Sequence, residues 1–248
     1  MKKLALLMTV CMFAFVTNTS AQFVNTGNSQ KLKNSSNSGS LLSNMTTDNY
    51  ARLTFSYNPV KLKWEHDQDM WDKTLPLKHG FTVGVIGGVN LTNKAPLYLE
   101  YGLNYQGAFG KYKADGGAIR TNLHSLNIPL NLAFRLSFND NKISITPYIG
   151  LNGRINLAGS QKVDYFDNRY YDDQKLDLFD DSTTSEEGVG KQAFKRFQIG
   201  MNLGVGFSFS AFYLGVGHTF DFTKIANWAE ADYEAKYGVT SISIGVNF

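Results

Sequence analysis

The chain has 248 residues, of which 43% are hydrophobic and 18% charged, with a formal net charge of +3 at neutral pH. Its one cysteine, Cys11, falls within the first 21 residues, so the chain beyond them offers no thiol for a disulfide, a thiolate zinc site or a cysteine nucleophile. Lys2 and Lys3 fall there too, and without them the charge drops to +1, which gives no electrostatic case for nucleic acid.

In chain order, the first element is a leader. Lys2 and Lys3 precede an apolar run over residues 4–16, and Thr19, Ser20 and Ala21 precede Gln22. That order of basic, apolar and small residues predicts a secretory signal peptide over residues 1–21, cleaved after Ala21. The run is too short for a spanning helix, which needs about 20 apolar residues. Residues 22–49, rich in Ser, Asn and Thr, predict a flexible periplasmic tether. No later stretch is long and apolar enough for a spanning helix, so a membrane-crossing chain would have to be a closed barrel.

Alternation of period two then predicts eight strands, over residues 50–58, 81–91, 97–109, 126–138, 143–157, 197–209, 212–222 and 239–248. In each, one parity is apolar, as in Leu126, Ile128, Leu130, Leu132 and Phe134, while the other holds Asn, Gln, Ser, Thr and Gly. The connections alternate between short (92–96, 139–142, 210–211) and long (59–80, 110–125, 158–196, 223–238). Short turns on one rim and long loops on the other predict an all-β, eight-stranded antiparallel up-and-down transmembrane barrel over residues 50–248. An even strand count places both ends on the short-turn, periplasmic side.

Charge placement separates this pattern from that of a soluble barrel. The last seven segments contain four charged residues, Glu100, Arg135, Arg154 and Asp221, where the chain-wide fraction would place about 15. All four lie on the polar parity, as does Arg52 in the first strand. A soluble ligand-binding barrel would carry its charges outside and its apolar residues inside. Here the apolar parity is uninterrupted and is read as facing lipid. Aromatics near strand ends, among them Tyr101, Tyr105, Phe109, Phe207 and Phe209, fit the girdles at the two interfaces.

Glu100, Arg135, Arg154 and Asp221 are therefore expected to form a charge cluster in the lumen. Eight strands leave a lumen that side chains fill, so the reading is a packed polar plug rather than a pore. Glycines on the same parity, such as Gly84, Gly88, Gly204, Gly206, Gly215 and Gly217, leave room for Arg side chains and for Tyr98, Tyr148 and Tyr213.

No residue set announces chemistry. His66, His79, His124 and His218 have no metal-ligand spacing, and no metal or cofactor is expected. His218 sits beside Thr219 and Asp221, but those two have the opposite parity and cannot form a relay with it. The acidic connection 158–196 lacks a calcium-loop frame. Trp64 and Trp71 in the first long connection are possible contact anchors or a lid over the barrel mouth.

Residues 126–134, with their Asn-Ile-Pro-Leu core, the Pro-Tyr-Ile-Gly of 147–150, the Gly-rich 203–207, the segment 215–223 and the aromatic-ended last strand together resemble the PorT-like outer-membrane β-barrel family. The resemblance covers residues 50–248 and implies an outer-membrane barrel of the small eight-stranded type, in contact with outer-membrane lipid. It also implies insertion by the barrel-assembly machinery, with Phe248 as the assembly signal. The role expected is structural or loop-mediated contact without enzymatic activity. Alternatives are an accessory barrel of a secretion or transport assembly, a narrow channel, or a lipid-modifying enzyme.

Overall fold

The structure is a computed structural model that describes residues 48–64, 69, 72–73, 75–92, 95–114, 116–138, 142–165, 174–180, 194–225 and 235–248. The segments expected to be a signal peptide and, for nearly all of its length, a tether lie outside the described residues, as do His66, Trp71 and the side chain of Trp64. The described strands are β1 (Tyr50–Trp64), β2 (His79–Asn90), β3 (Leu97–Ala114), β4 (Gly117–Phe134), β5 (Leu136–Phe138), β6 (Ile143–Tyr165), β7 (Gln174–Asp177), β8 (Phe197–Phe209), β9 (Phe212–Asp221) and β10 (Ala235–Asn247).

Eight staves close into a ring. β5 continues β4 past Arg135 along the same neighbour, and β7 adds a short strand to the upper end of β6. Around the ring each stave is antiparallel to the next, from β1 through β2, β3, β4, β6, β8 and β9 to β10, which returns to β1. The closing seam pairs Leu53 with Val246 and Phe55 with Ile244. It ends where the Phe248 amide donates to the Ala51 carbonyl at 2.8 Å. Closure leaves no free edge in the ring of eight staves, so their backbone donors and acceptors are paired within the sheet where it crosses hydrocarbon.

The staves run further than the alternation predicts. β1 extends to Trp64, β3 to Ala114, and β6 to Tyr165, while β4 begins at Gly117 and β10 at Ala235. The expected long connection 110–125 is therefore mostly paired strand, with Ala114 opposite Gly117. The reason lies in the side chains, because the polarity of the two faces inverts toward the upper end of β1 and β10. On β1 the buried series Arg52, Ser56, Asn58 gives way to buried Val60 and Leu62, while the outward series Leu53, Phe55, Tyr57 gives way to exposed Lys61 and Lys63. On β10, going the other way, buried Ala235, Tyr237 and Val239 precede Ser241 and Ser243, and outward Lys236 precedes Ile242, Ile244 and Val246.

The inversion marks the level at which the staves leave hydrocarbon. Above it, outward charges are hydrated and the interior follows the ordinary rule of an apolar core. Val60, Leu62, Leu123 and Val239 from the staves meet Leu77, Leu178, Phe194 and Ile225 from the connections in one buried cluster. The upper end of the barrel is thus closed by an apolar cap, a correction to the expectation of a lumen that is polar throughout. Beside the cap, where β4 and β6 rise above the membrane, Asp164 accepts from Lys162 at 2.7 Å and faces Arg120 at 3.0 Å. Those cations hold its carboxyl below the usual carboxylate range, the Lys162 hydrogen bond contributing most.

A two-residue turn, Ser210–Ala211, joins paired Phe209 and Phe212, and Ser210 has φ of 53°. Left-handed backbone strains a side chain, most of all a β-branched one. Ser210→Val is expected to be about 1–2 kcal/mol less stable than Ser210→Gly, as read from urea unfolding midpoints in lipid vesicles.

Candidate functional site: the lumen and the two interfaces

The lumen holds its charges as two separate pairs on different levels. Near the short-turn rim, Arg52 Nη2 lies 2.5 Å from Glu100 Oε1, and the Tyr50 hydroxyl donates to the same carboxylate. Higher up, Arg154 Nη1 lies 2.9 Å from Asp221 Oδ2, and Arg154 Nε donates to Asn127 Oδ1 at 3.0 Å. Each buried guanidinium also lies against a tyrosine face, Arg52 on Tyr213 and Arg154 on Tyr237, both at 3.9 Å from the ring centroid. Charge pairing, hydrogen bonds and cation–π contact together offset the desolvation of groups that are almost wholly buried.

The four residues expected to form one cluster are therefore divided. Glu100 belongs to the lower pair, Arg154 and Asp221 form the upper, and Arg135 joins neither. It sits at the break between β4 and β5, where its Nε donates to Ser144 Oγ at 3.4 Å and its guanidinium lies 4.9 Å from the Tyr50 ring centroid. The partner of Glu100 is Arg52, whose place on the polar parity of β1 was the signal available. Nothing in the strand pattern specified which stave would bring an opposite charge to which level.

Glycines shape the space around these pairs. A Cβ at Gly206 or Gly215 would stand 2.4 Å from Tyr213, one at Gly204 or Gly217 2.4 Å from the Tyr148 hydroxyl, and one at Gly88 2.3 Å from the Tyr50 ring. The missing side chains on β2, β8 and β9 are thus the seats of the inward tyrosines. Between the two charge pairs a layer of Thr54, Ser56, Asn104, Gln106, Asn131 and Asn202 surrounds a cavity of about 110 Å³. That volume suits a few bridging waters.

Outward-facing residues form the other surface. Leu53, Phe55, Ile128, Leu130, Leu132, Ile149, Leu151, Leu214, Ile242 and Ile244 are exposed around the ring and make its apolar belt. At its upper edge three outward histidines meet a hydroxyl on a neighbouring stave: His79 with Tyr57 at 2.5 Å, His124 with Tyr105 at 2.7 Å, and His218 with Thr240 at 3.0 Å. Asp221 is buried on the opposite face of β9, so His218 and Asp221 are not within reach of each other. Among the described residues no three His, Cys, Asp or Glu side chains converge to hold a metal. Phe248 is exposed at the lower rim.

A closed antiparallel ring with an apolar outer belt, a polar interior and girdles at both edges defines a membrane-spanning β-barrel. The family model of the outer membrane protein beta-barrel domain matches residues 17–227, and the chain belongs to that family. It is accordingly an outer-membrane protein. Similar solved structures include Ail, the attachment invasion locus protein of Yersinia pestis, in complex with the heparin analogue sucrose octasulfate. It is 11% identical, with 81% of this chain and 99% of that chain covered and a TM-score of 0.41. Neisserial surface protein A is 13% identical over 81% of this chain and 97% of its own, with a TM-score of 0.40. The outer membrane enzyme PagL is 12% identical over 79% and 98%, with a TM-score of 0.41. No curated protein matches the chain.

Proposed function

We propose that this protein is a non-enzymatic, non-conducting barrel that contributes to the outer membrane structurally and presents its long connections outward for contact. The observation that carries the reading is the obstruction of the lumen at three levels. The Arg52–Glu100 pair blocks it low down, the Arg154–Asp221 pair blocks it higher, and the apolar cap around Leu62 and Phe194 closes the top. The space left between the two pairs is a cavity of about 110 Å³, small beside the continuous aqueous path that a conducting barrel needs. Purified protein in planar bilayers is expected to give no stable conductance steps, and large, long-lived steps would sink the proposal.

His218 faces outward and Asp221 inward, so the two form no relay. Export by a cleaved signal peptide and transient contact with the barrel-assembly machinery complete the proposal, with outer-membrane lipid as the standing partner. Within the family we place the chain among PorT-like barrels, on the likeness of residues 126–134, 147–150, 203–207 and 215–223. That placement makes an accessory part in a secretion assembly the second reading. Stoichiometric co-purification of another protein from mildly solubilised membranes would favour it over a stand-alone barrel.

A further inference from the structure

We propose that a groove on the outer wall, at the seam of β1, β9 and β10, binds the phosphorylated headgroup of an outer-leaflet lipid. The groove has a volume of about 670 Å³, within the range of small-molecule sites, and Lys61, Lys63, Lys78, Lys236 and His218 stand around it. All five side chains are exposed. Register makes the crowding of charge explicit. Lys63 on β1 lies directly opposite Lys236 on β10, and Lys61, two residues along the same outward face, lies opposite Gly238. Like charges directly opposed across a sheet are unfavourable. Among the described residues, none of the four lysines forms an ion pair that would relieve them. Among the described residues lining the groove, the acidic ones are Asp72 and Asp221, and Asp221 is paired with Arg154.

The position of the groove selects the kind of anion. It sits at the level where face polarity inverts, with exposed Tyr57, Ile242 and Val216 directly below it on the same three staves. Leu77, Phe220 and Tyr237 supply apolar lining. A ligand with phosphate at the lysines and acyl chains continuing down the Ile242 and Val216 stripe satisfies both halves, and a soluble anion satisfies one. Gly238 keeps the groove open. The nearest atoms to a Cβ there would be the Lys61 carbonyl oxygen at 3.6 Å and the His218 ring at 3.9 Å, ordinary contact distances. A larger side chain at this position can therefore fill the groove without disturbing the wall.

The test uses full-length mature protein in non-ionic maltoside micelles, with bisphosphorylated lipid A as the probe and native mass spectrometry as the readout. Wild type is expected to retain one lipid A per chain. The triple variant Lys61→Gln, Lys63→Gln, Lys236→Gln and the single variant Gly238→Phe are each expected to lose at least tenfold in occupancy. Dephosphorylated lipid A is expected to bind no better to wild type than to the triple variant. Both variants are checked for folding by the faster migration of unboiled samples on a denaturing gel. Should Gly238→Phe alone fold, it decides the question by itself. Equal lipid A occupancy in wild type and a folded variant overturns the proposal. So does displacement of bound lipid A by millimolar inorganic phosphate, which would make this a site for a free anion. A two-chain mass lost in the same variants would assign the groove to a second copy, and would overturn it as well.

Discussion

Asp221→Leu is expected to destabilise the folded barrel by about 3–5 kcal/mol, because it strands a buried guanidinium without its carboxylate. Arg154 is 1% exposed, and its remaining contacts are the Asn127 carbonyl oxygen and the face of Tyr237. Neither carries a full negative charge, so the cation would be left in a low-dielectric layer with no counter-charge. The double replacement Arg154→Met with Asp221→Leu is expected to recover most of the loss, since removing both charges also removes both desolvation penalties. Urea unfolding of vesicle-inserted protein, followed by tryptophan fluorescence, measures all three variants. A double variant no more stable than Asp221→Leu would show that the pair contributes more than the relief of its own burial.

Leu130→Arg is expected to cost about 2–4 kcal/mol, the penalty for a charge facing hydrocarbon near the midplane. Leu130 is 47% exposed on the outer face of β4, level with Leu151 on β6, in the middle of the apolar belt. Asn122, on the same face of the same stave, lies opposite Phe109 at the upper edge of that belt. Asn122→Arg is expected to cost no more than about 1 kcal/mol, because the guanidinium there reaches water and headgroups. The contrast locates the membrane boundary on β4. Equal costs at the two positions would mean that both face the same medium, and the assignment of the belt would fail.

The membrane-facing half of each stave was legible in the chain because lipid imposes a one-sided code. Ile242, Ile244 and Val246 alternate with Ser241, Ser243 and Asn247, and the same code recurs in β4 and β8. Above the membrane that code reverses, as at Val60 and Lys61, so a reading that follows one apolar parity stops short on β1 and β10. Residues 110–125 read as a loop for this reason, although residues 110–114 and 117–125 pair between β3 and β4 in one register with the residues below.

Within the membrane-facing part of the staves, the sequence by itself determined which residues face in and which face out, and with them the class of fold. Period-two alternation and the exclusion of charge from hydrocarbon act on neighbouring residues and need no knowledge of the ring. Only the tertiary structure decided which charges meet. Arg52 and Glu100 are 48 residues apart and Arg154 and Asp221 are 67 apart, and their levels follow from the register of staves around the closed barrel. Register between staves is a property of the ring and its turns, and a single stave carries no record of it. For the same reason the two-tier lumen, the apolar cap and the paired lysines at the β1 and β10 seam emerge only after closure.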